Sequence, residues 1–324
     1  MDVSRRHFIS GSAATLATLA ASAKFLRAVQ AKSLFKIAVI SDEISQDFDH
    51  ACSVIANDFG LKWVEIRGMW GKGLQNLSDD ELDRAQKILT KYKLRVTDIG
   101  SPLFKIDWPG APRSRFSPKK SSTQSADSQF QQQREVLERH LALAKRFKTN
   151  AIRCFDFHRL DDVKPYREAI NAKLLEAANI CGKHKVRLVL ENEFDCNTGS
   201  GREAAETLAA IQSPHFMLNW DAGNAVMGGE LDAFPAGWDL LPKNRIGHCH
   251  CKNAVKGDDG KIHWSPVDIG YIDWTAQFRA LAKTGYRGAV SLETHWRGAA
   301  TPEESTRRSW HGMEKALKDS GALA

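Results

Sequence analysis

The chain has 324 residues, 42% of them hydrophobic and 26% charged, and its formal net charge is +7. This length suits one large α/β domain, and we find no separate second domain. The positive charges are spread along the chain, a distribution that favours solubility and excludes a nucleic-acid footprint. None of the six cysteines belongs to a CxxC pair, so we expect mostly free, buried thiols.

The first 31 residues predict a twin-arginine export signal. Arg5 and Arg6 stand before an apolar pair, and a weakly apolar stretch of residues 11–23 follows, which is too short for a stable membrane span. Small residues place the cleavage site after residue 31, with residue 23 as its competitor. The alternative is an ordinary N-terminal helix in which the arginine pair is accidental.

Export by this route predicts the twin-arginine machinery as a partner and a periplasmic or other extracytoplasmic location. The mature domain is then residues 32–324, with a formal net charge of about +4. Proteins that use this route are already folded, which agrees with a metal ion inserted in the cytoplasm.

The mature chain alternates short apolar runs with longer amphipathic segments, the pattern of a parallel sheet covered by helices. The predicted strands are 36–41, 63–67, 95–99, 151–155, 187–191, 216–220, 245–251 and 289–294. The predicted helices are 48–59, 79–91 with Ser78 as its N-cap, 130–147, 166–184, 202–211, 231–240, 274–283 and 303–320. Eight strand–helix pairs predict a closed (β/α)₈ TIM barrel of one domain.

Residues 104–127 interrupt this alternation with prolines among Ser, Lys, Arg and Gln residues. The segment follows a strand, and loops after strands lie on the catalytic face of a barrel. It is therefore either a lid over the site or a disordered excursion.

Four successive apolar strands end in a carboxylate or an imidazole. The stretches LVLEN, NWDAGN, HCHCKN and SLETH contain Glu191, Asp221, His250 and Glu293. Such groups are costly in an apolar strand unless they are paired or bind a metal ion. All four strand ends converge on the catalytic face of a barrel.

The pleat of the seventh strand decides which of its side chains face the barrel axis. Side chains alternate along a strand, so His248, His250 and Lys252 share the inner face, whereas Cys249 and Cys251 face the helices. This argues against a Cys/His zinc site, because its ligands would point in opposite directions.

Three carboxylates and one imidazole form a hard, oxygen-rich ligand set. It suits one divalent metal ion, with Mn²⁺ preferred and Mg²⁺, Co²⁺ or Zn²⁺ as alternatives. Such an ion polarises a substrate carbonyl, and a neighbouring carboxylate removes a proton from the adjacent carbon. The set therefore predicts proton transfer through an enediolate.

These stretches, together with VDIGYIDW and the SDEIS segment after the first strand, resemble the sugar phosphate isomerase/epimerase family, whose barrel is xylose isomerase-like. The resemblance covers residues 36–320 and implies the metal ligands Glu191, Asp221, His250 and Glu293. It also implies that Glu191 and Glu293 form the acid/base pair. Asn224 departs from the pattern, because many members have a substrate-binding histidine there, and this disfavours a ketose epimerase of the best-known kind.

Other residues at or near strand ends are candidate substrate contacts, and a plain structural role is the alternative for each. They are Lys252, His248, Asn224, Glu193, Arg67, His158, His295 and Trp264. The sequence has no glycine-rich phosphate loop, so it does not support a phosphate group on the substrate.

Three functions stay open, and each predicts a small-molecule carbohydrate as partner. The first is a metal-dependent isomerase or epimerase that acts on a sugar or related polyol. The second is a lyase that eliminates an aglycone from a 3-keto-glycoside at the same metal site, which export favours. The third is a non-catalytic carbohydrate-binding barrel, against which the retention of four ligands argues. A homo-oligomer is also left open.

Overall fold

The computed structural model describes residues 33–119 and 124–324, so the predicted export signal, residues 1–31, lies outside it. Within it, one sheet is formed by β1 Lys36–Val39, β2 Trp63–Ile66, β3 Arg95–Ile99, β4 Ala151–Cys154, β5 Arg187–Glu191, β6 Phe216–Asp221, β7 Ile246–Cys251 and β8 Ala289–Leu292. Neighbouring strands are parallel in the order β1-β8-β7-β6-β5-β4-β3-β2. A parallel bridge between Ile40 and Glu65 joins the two edges. The predicted (β/α)₈ barrel is confirmed.

Helices cover the outside of the barrel. They are α1 Phe48–Ser53, α2 Asp79–Tyr92, α3 Ala126–Arg146, α4 Arg167–Lys183, α5 Gly201–Ala210, α6 Ala222–Met227, α7 Trp238–Leu240, α8 Trp274–Lys283 and α9 Pro302–Asp319. A wider turn, Val54–Asp58, extends α1. Ser78 caps α2 as predicted, because its hydroxyl accepts from the backbone N–H of Glu81, whose carboxylate accepts from the backbone N–H of Ser78.

Alternation along the strands separates the apolar core from the polar centre of the barrel. On β6, Trp220 faces the helices, where its Nε1 donates to the side chain of Gln277 in α8. Its neighbours Asn219 and Asp221 face the barrel axis and lie beside His250. Hydrophobic burial between sheet and helices holds the barrel closed, while the inner face of the strand ends is free to carry polar groups.

Three short elements after strand ends are not predicted by the periodicity, because segments of two to six residues carry too few side chains to show a period. Helix α6 begins directly after β6, and Asp221 Oδ1 accepts from the backbone N–H of Asn224 as its cap. Two antiparallel hairpins follow β2 and β7. The first pairs residues 68–69 with 72–73, and the second pairs 253–256 with 262–265.

The segment after β3 begins beside the barrel mouth. Its backbone carbonyls at Leu103, Phe104 and Ile106 accept hydrogen bonds from the segment that follows β4. Residues 120–123 lie outside the described part of the chain, and α3 begins at Ala126. In the described ranges, no helix combines the length and the apolar character that a membrane span requires.

Candidate metal centre

Four side chains converge at the carboxyl ends of β5 to β8. Glu191 and Asp221 are the last residues of β5 and β6. His250 is the penultimate residue of β7, and Glu293 directly follows β8. The parallel register places His250 beside Asp221 on one side and beside Ser291 on the other. All four candidate ligands are at most 2% exposed, so they meet in a site shielded from bulk water.

The distances within this group fit one shared ion. His250 Nδ1 lies 3.1 Å from Glu191 Oε1, 3.1 Å from Glu293 Oε2 and 3.5 Å from Asp221 Oδ2. Two atoms that each lie about 2.1 Å from an ion, at angles of about 90–110°, are about 3.0–3.4 Å apart. One ligand atom from each residue lies within 4.8 Å of all the others.

The donor chemistry of the group supports the same interpretation. Asp221 Oδ2 is buried, and the ammonium of Lys252 lies 2.8 Å away without the alignment of a hydrogen bond. This ion pair offsets part of the buried negative charge, so the oxygen alone does not require a metal ion. Three carboxylate oxygens and one imidazole nitrogen within 4.8 Å of one another are ligands that divalent metal ions prefer. The residues therefore fit a divalent metal ion.

Basic side chains hold the ligand carboxylates in place. Lys252 Nζ lies 2.5 Å from Glu293 Oε2, and Arg153 Nη1 donates to Glu191 Oε2 over 3.0 Å. Arg67 Nη1 donates to Glu293 Oε1 over 2.9 Å. Each glutamate ligand is thus fixed on one side by a cation and faces His250 on the other.

These contacts keep both glutamates ionised. Burial alone raises the pKa of Glu191, but attraction to His250 and Arg153 outweighs burial and lowers that pKa to about 2. The pKa of Glu293 also lies well below its ordinary value, because Lys252 and the nearby histidines outweigh burial. Both carboxylates are therefore available as anionic ligands or as bases at neutral pH.

The metal centre opens into a cavity of about 300 Å³, a size at the lower end of small-molecule sites. It is lined by Arg67, Gly73, Gln75, Gly100, Pro102, Lys105, Arg153, Phe155, Glu191, Glu193, Glu293 and His295. A larger groove of about 660 Å³ lies beside α5 and α7, but no carboxylate, imidazole or thiol lines it. We therefore assign the site to the smaller cavity.

Three of the candidate substrate contacts line this cavity: Arg67, Glu193 and His295. Besides Glu293, Arg67 binds Asp42 and Glu43, so its guanidinium is fully occupied by carboxylates. Burial lowers the pKa of His295 to about 4, and its Nδ1 is buried without a hydrogen-bond partner in the described part of the chain. His295 is thus a neutral ring in the cavity lining, with Nδ1 4.0 Å from oxygens of Glu43 and Glu293.

Glu193 differs from Glu191 and Glu293, the two glutamates of the candidate ligand set. Its Oε2 accepts from Lys105 Nζ over 2.9 Å, yet burial outweighs this attraction and raises the pKa of Glu193 to about 7. Lys105 comes from the segment after β3 and also lies 3.3 Å from Asp195. The beginning of that segment therefore reaches the cavity, a contact that the strand-end pattern does not predict.

Four other candidates lie around the metal centre, outside the cavity lining. Asn224 Nδ2 donates to Glu191 Oε1 over 3.1 Å, and Lys252 pairs with ligand carboxylates. Trp264, on the second hairpin, contacts the His295 ring edge-on at 5.0 Å. His248 lies one pleat below His250.

In the described part of the chain, His158 is the candidate that belongs to a separate group, outside both the cavity lining and the metal centre. It pairs with Cys196 in an isolated bridge and lies in a separate group with Asp195 and Cys196. It is a candidate because it follows β4, but it lies four residues beyond the end of that strand, where it pairs with Cys196.

Two buried acids are not among the predicted site residues, because the prediction selects residues at strand ends and these two lie inside strands. Glu65 of β2 contacts His248 and His250, and Asp98 of β3 lies 3.8 Å from His248. Burial and the charge of Glu65 raise the pKa of Asp98 to about 6. The sequence indicates both acids in another way: in the stretches WVEIR and RVTDI a charged residue stands within an apolar strand, where it requires a partner.

The cysteines of β7 are not part of the metal centre. Cys249 and Cys251 are buried and free, and neither belongs to the group around His250. Burial raises the pKa of both thiols, which disfavours the thiolate that metal binding requires.

Comparison with known proteins agrees with this architecture. Residues 54–316 match the family model described as xylose isomerase-like TIM barrel. No curated protein sequence matches the chain.

Solved structures share the fold at low sequence identity. A xylose isomerase-like TIM barrel protein from Mycobacterium smegmatis, in complex with magnesium, is 14% identical with a TM-score of 0.63, over 90% of this chain and 98% of that one. The probable 3-DHS dehydratase AsbF from Bacillus anthracis is 19% identical with a TM-score of 0.63, over 86% and 98%. D-psicose 3-epimerase from Clostridium cellulolyticum H10, solved with D-tagatose, is 16% identical with a TM-score of 0.62, over 89% and 98%. At these identities the similarity shows the fold alone.

Proposed function

The chain belongs to the xylose isomerase-like TIM barrel family, and from this premise we propose that it is a metal-dependent enzyme that transfers a proton next to a carbonyl of a sugar or related polyol. The observation that carries the proposal is the convergence of three carboxylates on one imidazole nitrogen at 3.1–3.5 Å, beside a small polar cavity. Mn²⁺ is the proposed ion, because hard oxygen ligands dominate the set.

The ion, when bound, supplies Lewis-acid polarisation of the substrate carbonyl and stabilises an enediolate. The chain's own residues supply the proton transfer. Glu191 and Glu293 enter the cavity from β5 and β8, so each can exchange a proton with a carbon held between them. Arg153 and Arg67 fix the two carboxylates by hydrogen bonds, which limits rotation of the groups that must meet the carbon.

The charges of the cavity favour an uncharged substrate. Every lysine or arginine that lines the cavity or the metal centre in the described part of the chain already contacts a carboxylate; these are Arg67, Lys105, Arg153 and Lys252. A phosphate or carboxylate group would therefore have to displace an existing ion pair. A neutral sugar can instead bind through hydroxyl groups, with the neutral His295 as a partner.

A second candidate is the lyase that eliminates an aglycone from a 3-keto-glycoside, because proton abstraction next to a carbonyl also begins that reaction. Asn224 favours it. Its amide donates to Glu191 and to the backbone carbonyl of Asn192, so it supports a ligand and does not reach the cavity lining. Many family members have a substrate-binding histidine at this position, whereas Asn224 contacts a candidate ligand instead of the substrate cavity. The proposed export also favours this candidate, since glycosides are degraded outside the cytoplasm.

An isotope experiment tests the proposal. Protein loaded with Mn²⁺ is incubated in D₂O with neutral sugars, their phosphate esters and 3-keto-glycosides, and metal-stripped protein is the control. We expect deuterium at one carbon: inverted configuration indicates an epimerase, a moved carbonyl an isomerase, and aglycone release the lyase. Absence of exchange and of release on every substrate, with metal bound, would contradict the proposal. Faster turnover of a phosphate ester than of its parent sugar would contradict the preference for an uncharged substrate.

A further inference from the structure

A buried carboxylate lies beneath the metal centre and belongs to the opposite side of the barrel. Glu65 is the third residue of β2, and it is fully buried. Both of its oxygens lie 3.2 Å from His250 Nε2, and Oε2 also lies 3.1 Å from His248 Nε2. One carboxylate from β2 thus contacts both inward-facing imidazoles of β7.

The two nitrogens of His250 have different surroundings. Nδ1 faces the three candidate ligand carboxylates, and Nε2 faces Glu65. A carboxylate only accepts hydrogen bonds, so the contact with Glu65 is favourable only when Nε2 carries the hydrogen. That tautomer leaves Nδ1 with a lone pair on the side of the three candidate ligand carboxylates, where the proposed metal ion would accept it.

The amide of Asn219 lies at the same nitrogen and is compatible with this tautomer. Asn219 Nδ2 lies 3.1 Å from His250 Nε2, while its Oδ1 is buried without a hydrogen-bond partner in the described part of the chain. A half turn of the amide exchanges the two atoms, and Oδ1 then accepts from the Nε2–H group together with Glu65.

His248, which precedes His250 by two residues on β7, fixes the carboxylate of Glu65. His248 Nε2 lies between Glu65 Oε2 and Ser291 Oγ, at 3.1 and 3.0 Å. The rings of His248 and His250 are perpendicular, with centroids 5.3 Å apart, so one carboxylate reaches both without strain on either ring. Burial raises the pKa of Glu65, but the two imidazoles outweigh burial and keep it well below its ordinary value.

We propose that Glu65 is the positioning residue of the metal centre: it fixes the tautomer and the ring orientation with which His250 presents Nδ1 to the metal ion. This inference rests on the proposed metal site and assigns it a partner from β2. Histidine ligands commonly donate their second N–H to a carboxylate, and loss of that partner typically weakens metal binding about 10- to 100-fold.

The variant Glu65→Gln tests the proposal, because it keeps the shape and removes the charge. We expect its affinity for Mn²⁺, measured by titration against a competing chelator, to fall by roughly 10- to 100-fold. The matched control is Asp98→Asn, the same change at an equally buried acid that contacts His248 and not His250. Affinity of Glu65→Gln within about twofold of wild type, or no lower than that of Asp98→Asn, would overturn the proposal.

A second measurement needs no variant and therefore does not depend on the folding of Glu65→Gln. In wild-type protein loaded with Zn²⁺, a diamagnetic probe, nitrogen NMR of labelled histidines reports which ring nitrogen carries the hydrogen. We expect His250 to carry it on Nε2, and a hydrogen on Nδ1 would overturn the proposal. Wild-type protein that binds neither Mn²⁺ nor Zn²⁺ would instead contradict the metal centre itself, so the two failures are distinct.

Discussion

Strands β5 to β8 and strands β1 to β4 end at the same mouth of the barrel, but they deliver different side chains to it. The second half supplies the candidate ligands Glu191, Asp221, His250 and Glu293. The first half supplies Arg153 from β4 and Arg67 after β2, each bound to a ligand glutamate of the other half. His250 and Lys252 of the second half most strongly keep these buried carboxylates ionised, and Arg153 adds to this for Glu191. Arg67 reaches Glu293 only in a closed barrel, because β2 meets β1 and β8 at the closure.

The largest effect on metal binding is expected from a change in strands β5 to β8, the half of the barrel that carries the candidate ligands. Replacing Glu293 by glutamine removes an anionic ligand and a proposed acid/base group. We expect bound metal, measured by elemental analysis, to fall by more than the roughly 10- to 100-fold loss typical of an outer-shell partner, and isotope exchange to disappear. Glu193→Gln is the control, since Glu193 lines the cavity outside the ligand set. Unchanged metal content and turnover in Glu293→Gln would show that the site is wrongly assigned.

A smaller effect, on stability, is expected from a change in strands β1 to β4, the half of the barrel that carries Arg153 and Arg67. Arg153→Met leaves the carboxylate of Glu191 buried without its cation, which costs about 3–5 kcal/mol of unfolding free energy in metal-free protein. Denaturant unfolding in the presence of a chelator measures this loss, and saturating Mn²⁺ should recover part of it by binding only the folded state.

The control for Arg153→Met is Arg134→Met, which breaks an exposed pair with Glu138 and should cost less than about 0.5 kcal/mol. If both variants lose the same stability, the two halves of the barrel are not coupled through this ion pair.

The smallest effect on metal binding is expected on the outer face of the same ligand strand. Cys251→Ala changes a buried side chain directed at the helices, so it should cost about 1 kcal/mol of stability. Affinity for Mn²⁺ should stay within about twofold of wild type, because the thiol lies outside the ligand set. A large loss of metal with little loss of stability would place a β7 thiol in the site.

The pattern of the sequence is sufficient to predict the barrel and the positions of the candidate ligands at its strand ends. The boundaries of β5 and α8 coincide with the predicted ranges, because β5 is an apolar run with a charged residue at each end and the ten residues of α8 suffice to show a helical period. The short helix α6 and the two hairpins have no such period, and the hairpins exist only because two separate segments pair.

Candidate ligands and their partners differ in how far sequence can predict them. Glu191, Asp221, His250 and Glu293 stand at strand ends, and the geometry of parallel strands places all strand ends together. The same rule selects His158, which the structure places in another group, with Asp195 and Cys196. Local pattern does not show the direction a chain takes after a strand.

By itself the sequence determined the eight strand–helix pairs, the inner face of β7 that separates His250 from Cys251, and the places of four candidate ligands at strand ends. These follow from periods of two and 3.6 residues and from the cost of charge in apolar strands. Only the tertiary structure decided that Glu65 meets His250 and that Arg153 meets Glu191. Glu65 and His250 lie on β2 and β7, which come within hydrogen-bond distance only because the barrel closes. Arg153 and Glu191 lie on the neighbouring strands β4 and β5, and the register of those two strands decides their contact.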